Sequence, residues 1–230
     1  MTAPPPADER ERLAALRRYA ILDTHPEPEF DDLTLLASQI CGTPIALINL
    51  VDENRQWFKS GIGFEAGETP HEEGFLRPHH FAGGRAGGER CATDERFATD
   101  PLVTGPANIR FYAGAPLLTA DGHALGTLCV IDHVPREMSA AQKSALGALS
   151  RQVVSQLDLR RTVSQLRSTA EELRSKTAFF EAQLNSSGDG ILIMDEQGRK
   201  SLQTGSCPNC SRSPRKSPAI RTIGNSFAGS

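Results

Sequence analysis

From Ser139 to about Asn185 the chain places Leu146, Leu149, Val153, Leu157, Val163, Leu166, Ala170, Leu173, Phe180 and Leu184 three and four positions apart, with charged and polar residues between them. That spacing is the signature of one helical face, and a run well beyond about 25 residues argues for a coiled coil or signalling helix rather than a globular one. Residues 139–185 are therefore expected to form one long helix. It is expected to pair with a second copy through Leu146, Leu149, Val153, Leu157, Val163, Leu166, Leu173, Phe180 and Leu184, with its seam interrupted at Arg160 and Thr177; the alternative is that only its first half packs on the domain and the rest is a solvated helix. Ser139 with Gln142 three residues later reads as a capping box at its start. The 230 residues leave room for one globular domain of about 150 residues ahead of this helix and too little for a second complete one.

The segments before it alternate between the two periods. Leu13, Leu16 and Ala20, with Tyr19, mark one side of a helix from about Glu9 to Leu22, which the prolines of "DTHPEPEF" end. Phe30, Leu33, Leu36, Ala37 and Ile40 define a second helix, stopped by Gly42 and Pro44. "PIALINLVD" and "WFKSGIGF" read as a β-hairpin around "DENRQ", and "IRFYAGAPLL" and "HALGTLCVID" as two further strands around "TADG". The imperfect alternation of the last two is that of strands covered on both faces by helices. "DERFATDPLV" reads as a short helix or turn. After the long helix, "GDGILIMDEQGR" supplies a turn, a strand and a turn, and the rest lacks any period.

Composition excludes several classes. With 28 acidic and 25 basic residues the net charge is -3, so no broad positive field for nucleic acid exists, and the scattered basic residues of the tail, Arg212, Arg215, Lys216 and Arg221, have no aromatics among them. No apolar stretch reaches the roughly 18 residues of a membrane span and the first residues do not form a secretory signal. The expected location is the cytoplasm, with no nucleic-acid or membrane partner.

The motifs with chemical potential are weak. In "GFLRPHHFAGGRAGGERCATDERF", His79, His80 and Cys91 have no second ligand pair to complete a metal site. The glycines at 83, 84, 87 and 88 lack the order and lysine of a phosphate loop. Cys207 and Cys210 form one C-x-x-C pair, half a zinc site at best, and the five cysteines read as reduced thiols. Cys41 and Cys129 read as small buried hydrophobes. Asp52, Glu53 and Asp132 read as turn carboxylates rather than an acid and base pair, and Ser150 and Ser155 have no histidine or elbow motif to make a hydrolase. Gly114, Gly126 and Pro116 read as strand-bending positions. Trp57, Phe58, Phe111 and Tyr112 form the conspicuous aromatic group, with core packing and the lining of a pocket as the two readings.

The segments "LAALRRYAILDTHPEPEFDDLTLLASQICGTPIALINLVDENRQWFKS", "DERFATDPLVTGPANIRFYAGAPLLTADGHALGTLCVID" and "REMSAAQKSALGALSRQVVSQLDLR" resemble GAF domains at the N-terminus of bacterial sensor histidine kinases and diguanylate cyclases. The resemblance implies an α+β fold: an antiparallel sheet of five or six strands, the terminal helices on one face, and a small-molecule pocket on the other. Candidates for that pocket are Trp57, Phe58, Phe111, Tyr112, Thr127 and Cys129. "FFEAQLNSSGDGILIMDEQGR" is similar to the entry of a PAS domain. The implied division is a disordered start at 1–8, a GAF domain at 9–160, the long helix at 139–185, a truncated PAS start at 186–199 and a disordered tail at 200–230. Relatives usually read Ser-Phe-Cys-Ala-His near Phe75, and a reading frame shifted from about Leu76 and restored near Cys91 accounts for the aberrant 75–91. The same event, unrestored, accounts for the loss of pattern after Lys200.

What the resemblance implies for function is a sensory or regulatory module of two-component or cyclic di-GMP signalling, acting as a homodimer and lacking its output domain. No kinase or diguanylate cyclase motif follows the helix, and the expectation is a chain that is not an enzyme. No cofactor or metal is expected, and the pocket's ligand is open. The alternatives are a dimerising remnant that binds nothing and a methionine sulfoxide reductase working through cysteines.

Overall fold

The segment "IALINLV" has no polar residue except Asn49, and in the computed structural model it forms β1 (Ile45–Val51), buried along its whole length. The structure describes residues 7–64, 66–70, 89–90, 101–105, 107–186, 192–194 and 200–203. Around β1 lie β2 (Arg55–Ile62), β3 (Glu68–Pro70), β4 (Glu89–Arg90), β5 (Phe111–Leu118) and β6 (Ala124–Asp132), in the order β3-β2-β1-β6-β5-β4. Every neighbouring pair is antiparallel. Both expected hairpins are present. The helices are α1 (Ala7–Arg18), α2 (Pro28–Cys41), α3 (Pro101–Thr104) and α4 (Ala140–Ser186). This is the expected α+β fold.

Alternation along the strands sends side chains to two faces. On one face Ala46, Ile48, Leu50, Ala113, Ala115, Leu128 and Val130 pack against Leu16, Tyr19, Phe30, Ala37, Leu146, Val153 and Leu157 from α1, α2 and α4. On the other, Ile45, Leu47, Tyr112, Cys129 and Ile131 pack with Val103 and Ile109. The expectation of helices on both faces is thus corrected: among the described residues the second face carries only the single turn of α3 and its flanks.

Helix limits follow local chemistry. Proline opens α2, and Gly42, at φ 67°, takes the left-handed conformation that ends it. The first helix stops at Arg18 instead of Leu22, since Ala20 (φ 45°) and Asp23 (φ 59°) turn the chain back. Ile21 still reaches the core, fully buried. In α2 the buried residues are Phe30, Thr34, Ala37 and Cys41, whereas Leu36 and Ile40, expected on the apolar side, are 43% and 41% exposed. Ser139 and Gln142 bond reciprocally: the Ser139 amide donates to Gln142 Oε1 (3.0 Å) and the Gln142 amide to Ser139 Oγ (3.2 Å). Gln142 Nε2 also donates to the carbonyls of Ile40 (3.1 Å) and Cys41 (3.3 Å), joining the start of α4 to the end of α2.

The chain divides into two compact units, residues 1–166 and 167–230. In the first, Leu146, Val153 and Leu157 are 0%, 0% and 1% exposed, and Leu149 packs against the same cluster. Their expected role in a dimer seam is corrected, because the first turns of α4 spend these side chains on their own domain. Arg160, expected as a break in the seam, donates to Glu27 (3.0 Å) and to the carbonyl of Ala20 (3.0 Å). Tyr19 Oη donates to Asp158 (2.9 Å), and Arg161 lies over the Tyr19 ring, 4.8 Å from its centre.

In the second unit Leu173 of α4 is 65% and Phe180 61% exposed. β7 (Leu192–Met194) pairs antiparallel with β8 (Lys200–Gln203). The disordered tail expected from residue 200 therefore begins instead with a strand, held by backbone bonds to β7. Likewise Ala7 and Asp8, expected as disordered, are already in α1, and Glu89–Arg90, inside the segment read as aberrant, pairs with Tyr112 and Phe111. The remainder of 75–91, with His79 and His80, and Cys91, Cys207, Cys210 and 204–230 lie outside the described residues.

Candidate functional site

Among the described residues, the face opposite the long helices carries a cluster of buried polar side chains amid apolar ones. Asn49 on β1 stands directly across from Thr127 on β6, and its side-chain amide donates to Gln56 Oε1 of β2 at 3.1 Å. Asn49 and Thr127 are fully buried and Gln56 is 1% exposed. Yet Asn49 Oδ1, Gln56 Nε2 and Thr127 Oγ1 have no hydrogen-bond partner among the described residues. A buried polar group without a partner costs about 1–3 kcal/mol, so three side by side mark a place where something else completes the bonds.

Around the trio the lining is apolar and aromatic. Phe58 follows Gln56 by two residues on the same face, and its ring meets Phe64 edge to face with centres 5.4 Å apart. Leu47 faces Cys129 across β1 and β6, and Tyr112 lies beyond them. A side chain on Gly114 would meet the Tyr112 hydroxyl at 2.3 Å, so glycine there makes room for the tyrosine ring. At Gly126 a Cβ would sit 1.9 Å from the Asn49 carbonyl oxygen, so its absence sets the close approach of β6 to β1 beside Asn49.

Of the six pocket candidates, the structure brings four to this face: Phe58, Tyr112, Thr127 and Cys129. Trp57 and Phe111 are corrected, because each is the chain neighbour of a far-face residue and alternation turns it to the helix side. Trp57 there lies near the Lys59 ammonium, 6.0 Å from the ring centre, with Phe30 at 5.2 Å. Asn49 and Gln56 were missed. The signal was available: an asparagine amid "IALI" and "LV" must find partners inside.

Lys59 ties β2 to the segment between α1 and α2. Its side chain is buried, and its ammonium donates to Glu27 (2.6 Å), Thr24 Oγ1 (3.0 Å) and the His25 carbonyl (2.7 Å). Burial pushes the Glu27 carboxyl up, but the bonds and charges of Lys59 and Arg160 outweigh it and hold Glu27 below the usual carboxylate range. Glu27 therefore connects β2 to α4. Nearby, Ser60 Oγ donates to Asp31 (2.6 Å) and lies 2.8 Å from Thr34 Oγ1.

Asp52 accepts from the Glu53 amide (2.8 Å), Glu53 pairs with Arg17 (3.2 Å), and Asp132 pairs with Arg136. Ser150 and Ser155 each donate to a carbonyl of their own helix at 3.0 Å. Burial pushes the Cys129 thiol up to about 12 and raises that of Cys41, which suppresses the thiolate a reductase would need. Among the described residues no cluster of His, Cys, Asp or Glu could hold a metal, and no helix is long and apolar enough to cross a membrane. A cavity of about 510 Å³ opens on the helix side, between Ala115, Pro116 and Leu118 of β5 and Lys143, Gly147 and Arg151 of α4, and none of the six candidates lines it.

The profile of the GAF domain family matches residues 25–157. A cyclic di-GMP phosphodiesterase from Pseudomonas aeruginosa is 39% identical over 145 residues, 63% of this chain and 25% of that protein. The chain thus spans about a quarter of the length of this curated relative. The expectation that the chain is not an enzyme is overturned by this relative, which is named as one; the absence of kinase and cyclase motifs had no bearing on a phosphodiesterase. Among solved structures, the GAF domain of the phosphoenolpyruvate-protein phosphotransferase from Acinetobacter is 18% identical, covering 69% of this chain and 98% of that one with a TM-score of 0.44. The free methionine-R-sulfoxide reductase from Neisseria meningitidis is 14% identical, with coverage of 71% and 97% and a TM-score of 0.48. Likenesses this distant carry no functional argument.

Proposed function

Since the chain belongs to the GAF domain family, we propose that it is the sensory and regulatory segment of a cyclic di-GMP signalling protein of the phosphodiesterase class. Occupancy of the far face of the sheet is passed through β2 and Glu27 to α4, and two copies pair in parallel along the outer side of that helix.

The observation that carries this reading is α4 itself. Its first turns belong to the domain core through Leu146, Val153 and Leu157, while Leu159, Leu166, Leu173 and Phe180 recur every seventh residue on the outside, 58%, 64%, 65% and 61% exposed. Val163, Ala170, Thr177 and Leu184 occupy the intervening positions of the same heptad. In a parallel pair Lys176 of one copy comes opposite Glu181 of the other, an attraction that an antiparallel pair lacks. One helix therefore has an end fixed by the domain and a stripe suited to a partner. The identity to a cyclic di-GMP phosphodiesterase supplies the signalling class.

The test measures cyclic di-GMP in bacteria expressing the chain and sedimentation of the purified protein. The expected outcome is a dimer in solution and a changed cellular cyclic di-GMP level, with the change lost in the Leu166→Glu, Leu173→Glu variant. A monomer at tens of micromolar, or an unaltered cyclic di-GMP level, would sink the reading.

A further inference from the structure

The far-face trio also constrains what it would bind, an inference that rests on the ligand-responsive reading above. Asn49 and Gln56 spend one hydrogen bond on each other, leaving one amide oxygen and one amide nitrogen unmet. Exchanging oxygen and nitrogen in both side chains restores the same bond in reverse and again leaves one acceptor and one donor. Exchanging only one sets like atoms against each other. The recognition surface is therefore one donor beside one acceptor, whichever way the amides stand, with the Thr127 hydroxyl able to serve as either.

The surroundings restrict charge and shape. Among the described residues the far-face cluster contains Ile45, Leu47, Tyr112, Cys129 and Ile131 with Phe58 against it, and the guanidinium that reaches it, that of Arg110, is already spent on the carbonyls of Val103 and Ile109. An anion or cation brought here would lose its water without gaining a counter-charge. Phe58 and Phe64 offer an aromatic pair beside Gln56. We propose that Asn49, Gln56 and Thr127 recognise an uncharged planar ligand through an edge carrying a hydrogen-bond donor next to an acceptor, the edge of a carboxamide or lactam.

Nicotinamide and uracil carry such an edge; nicotinate and benzoate are planar, of similar size, and charged. Binding of each at millimolar concentration is followed by saturation-transfer NMR and by the shift in melting temperature. Nicotinamide or uracil binds, and both carboxylates bind at least about tenfold more weakly, the discrimination expected of a site whose buried polar groups must be paired. Thr127→Val weakens the neutral probe about tenfold while Thr127→Ser retains it. Asn49→Leu with Thr127→Val abolishes binding; should that pair fail to fold by circular dichroism, the two single substitutions at Thr127 decide. The proposal is overturned if neither neutral probe binds, which leaves ordered water as the trio's partner, if the carboxylates bind equally well, or if Thr127→Val binds like the native chain. Sedimentation and the cellular cyclic di-GMP level do not depend on these probes, so failure here leaves the regulatory reading standing.

Discussion

Leu157 and Leu159 stand two residues apart on α4 and on opposite sides of it, the first 1% and the second 58% exposed. Two steps of a helix turn a side chain through about 200°. What reads along the sequence as one apolar seam is therefore two stripes, one buried in the domain core and one exposed to solvent.

The two stripes separate assembly from folding. Each leucine fully buried in a parallel pair contributes about 1.5–3 kcal/mol. Replacing Leu166 and Leu173 with glutamate sets four carboxylates into one interface, and a monomer is expected in analytical ultracentrifugation with an unchanged far-ultraviolet circular dichroism spectrum of the sheet. Leu157→Glu, on the other stripe, drives a charge into the domain core and is expected to cost about 3 kcal/mol or more, read as loss of the cooperative thermal transition.

Glu27 gives the stability an acid limb. Its carboxyl is held below its usual value in the folded chain by Lys59 and Arg160 acting against burial, so the stabilisation it contributes is complete above the unfolded value of about 4.3 and is lost as pH falls through the lower folded value. Glu27→Gln is expected to be less stable by about 2 kcal/mol at neutral pH, because water reaches the partly exposed carboxylate and screens its pairs. The gap to the native chain should close as the pH drops below 4.3 or so. Urea denaturation at a series of pH values measures it, and a gap that widens in acid would contradict the assignment.

At the start of α4, Ser139→Ala removes the cap of the Gln142 amide and is expected to cost about 1 kcal/mol. Gln142→Ala loses the return bond and both links to the end of α2, and its thermal midpoint should fall further than that of Ser139→Ala.

Gly126→Ala is expected to cost about 2 kcal/mol or more, because the methyl would meet the backbone of the neighbouring strand rather than a yielding side chain. A midpoint in urea equal to that of the native chain would show that β1 and β6 can separate without loss.

The strands, α2 and the long helix were legible because their periods are local. Alternation gave β1 and β6, and the serine and glutamine of the capping box lie three residues apart. Which side of a strand meets helices is not local. Trp57 and Phe58 are equivalent in sequence, and only the register with Leu50 and Asn49 sends one to each face. The split of α4 into two stripes was hidden for a similar reason, since Leu157 and Leu159 differ only in what stands opposite them. The bulge between Ile48 and Asn49, which leaves the consecutive residues Lys59 and Ser60 both on the helix side, left no sign in the residues themselves.

The bond from Tyr19 to Asp158 spans 139 residues, which ties the order of synthesis to the order of closure. Leu16 and Tyr19 leave the ribosome early, and their packing partners on α4, Val153 and Leu157, follow only after the whole sheet has been made. At about 5–20 residues per second that interval is on the order of ten seconds. For that time the helix side of the growing sheet has only α1 and α2 to cover it, and the places that Leu146, Val153 and Leu157 fill stay open. Emergence of α4 is the event that seals them, so the segment that carries the outward stripe is also the one that brings the exposed interval in translation to an end.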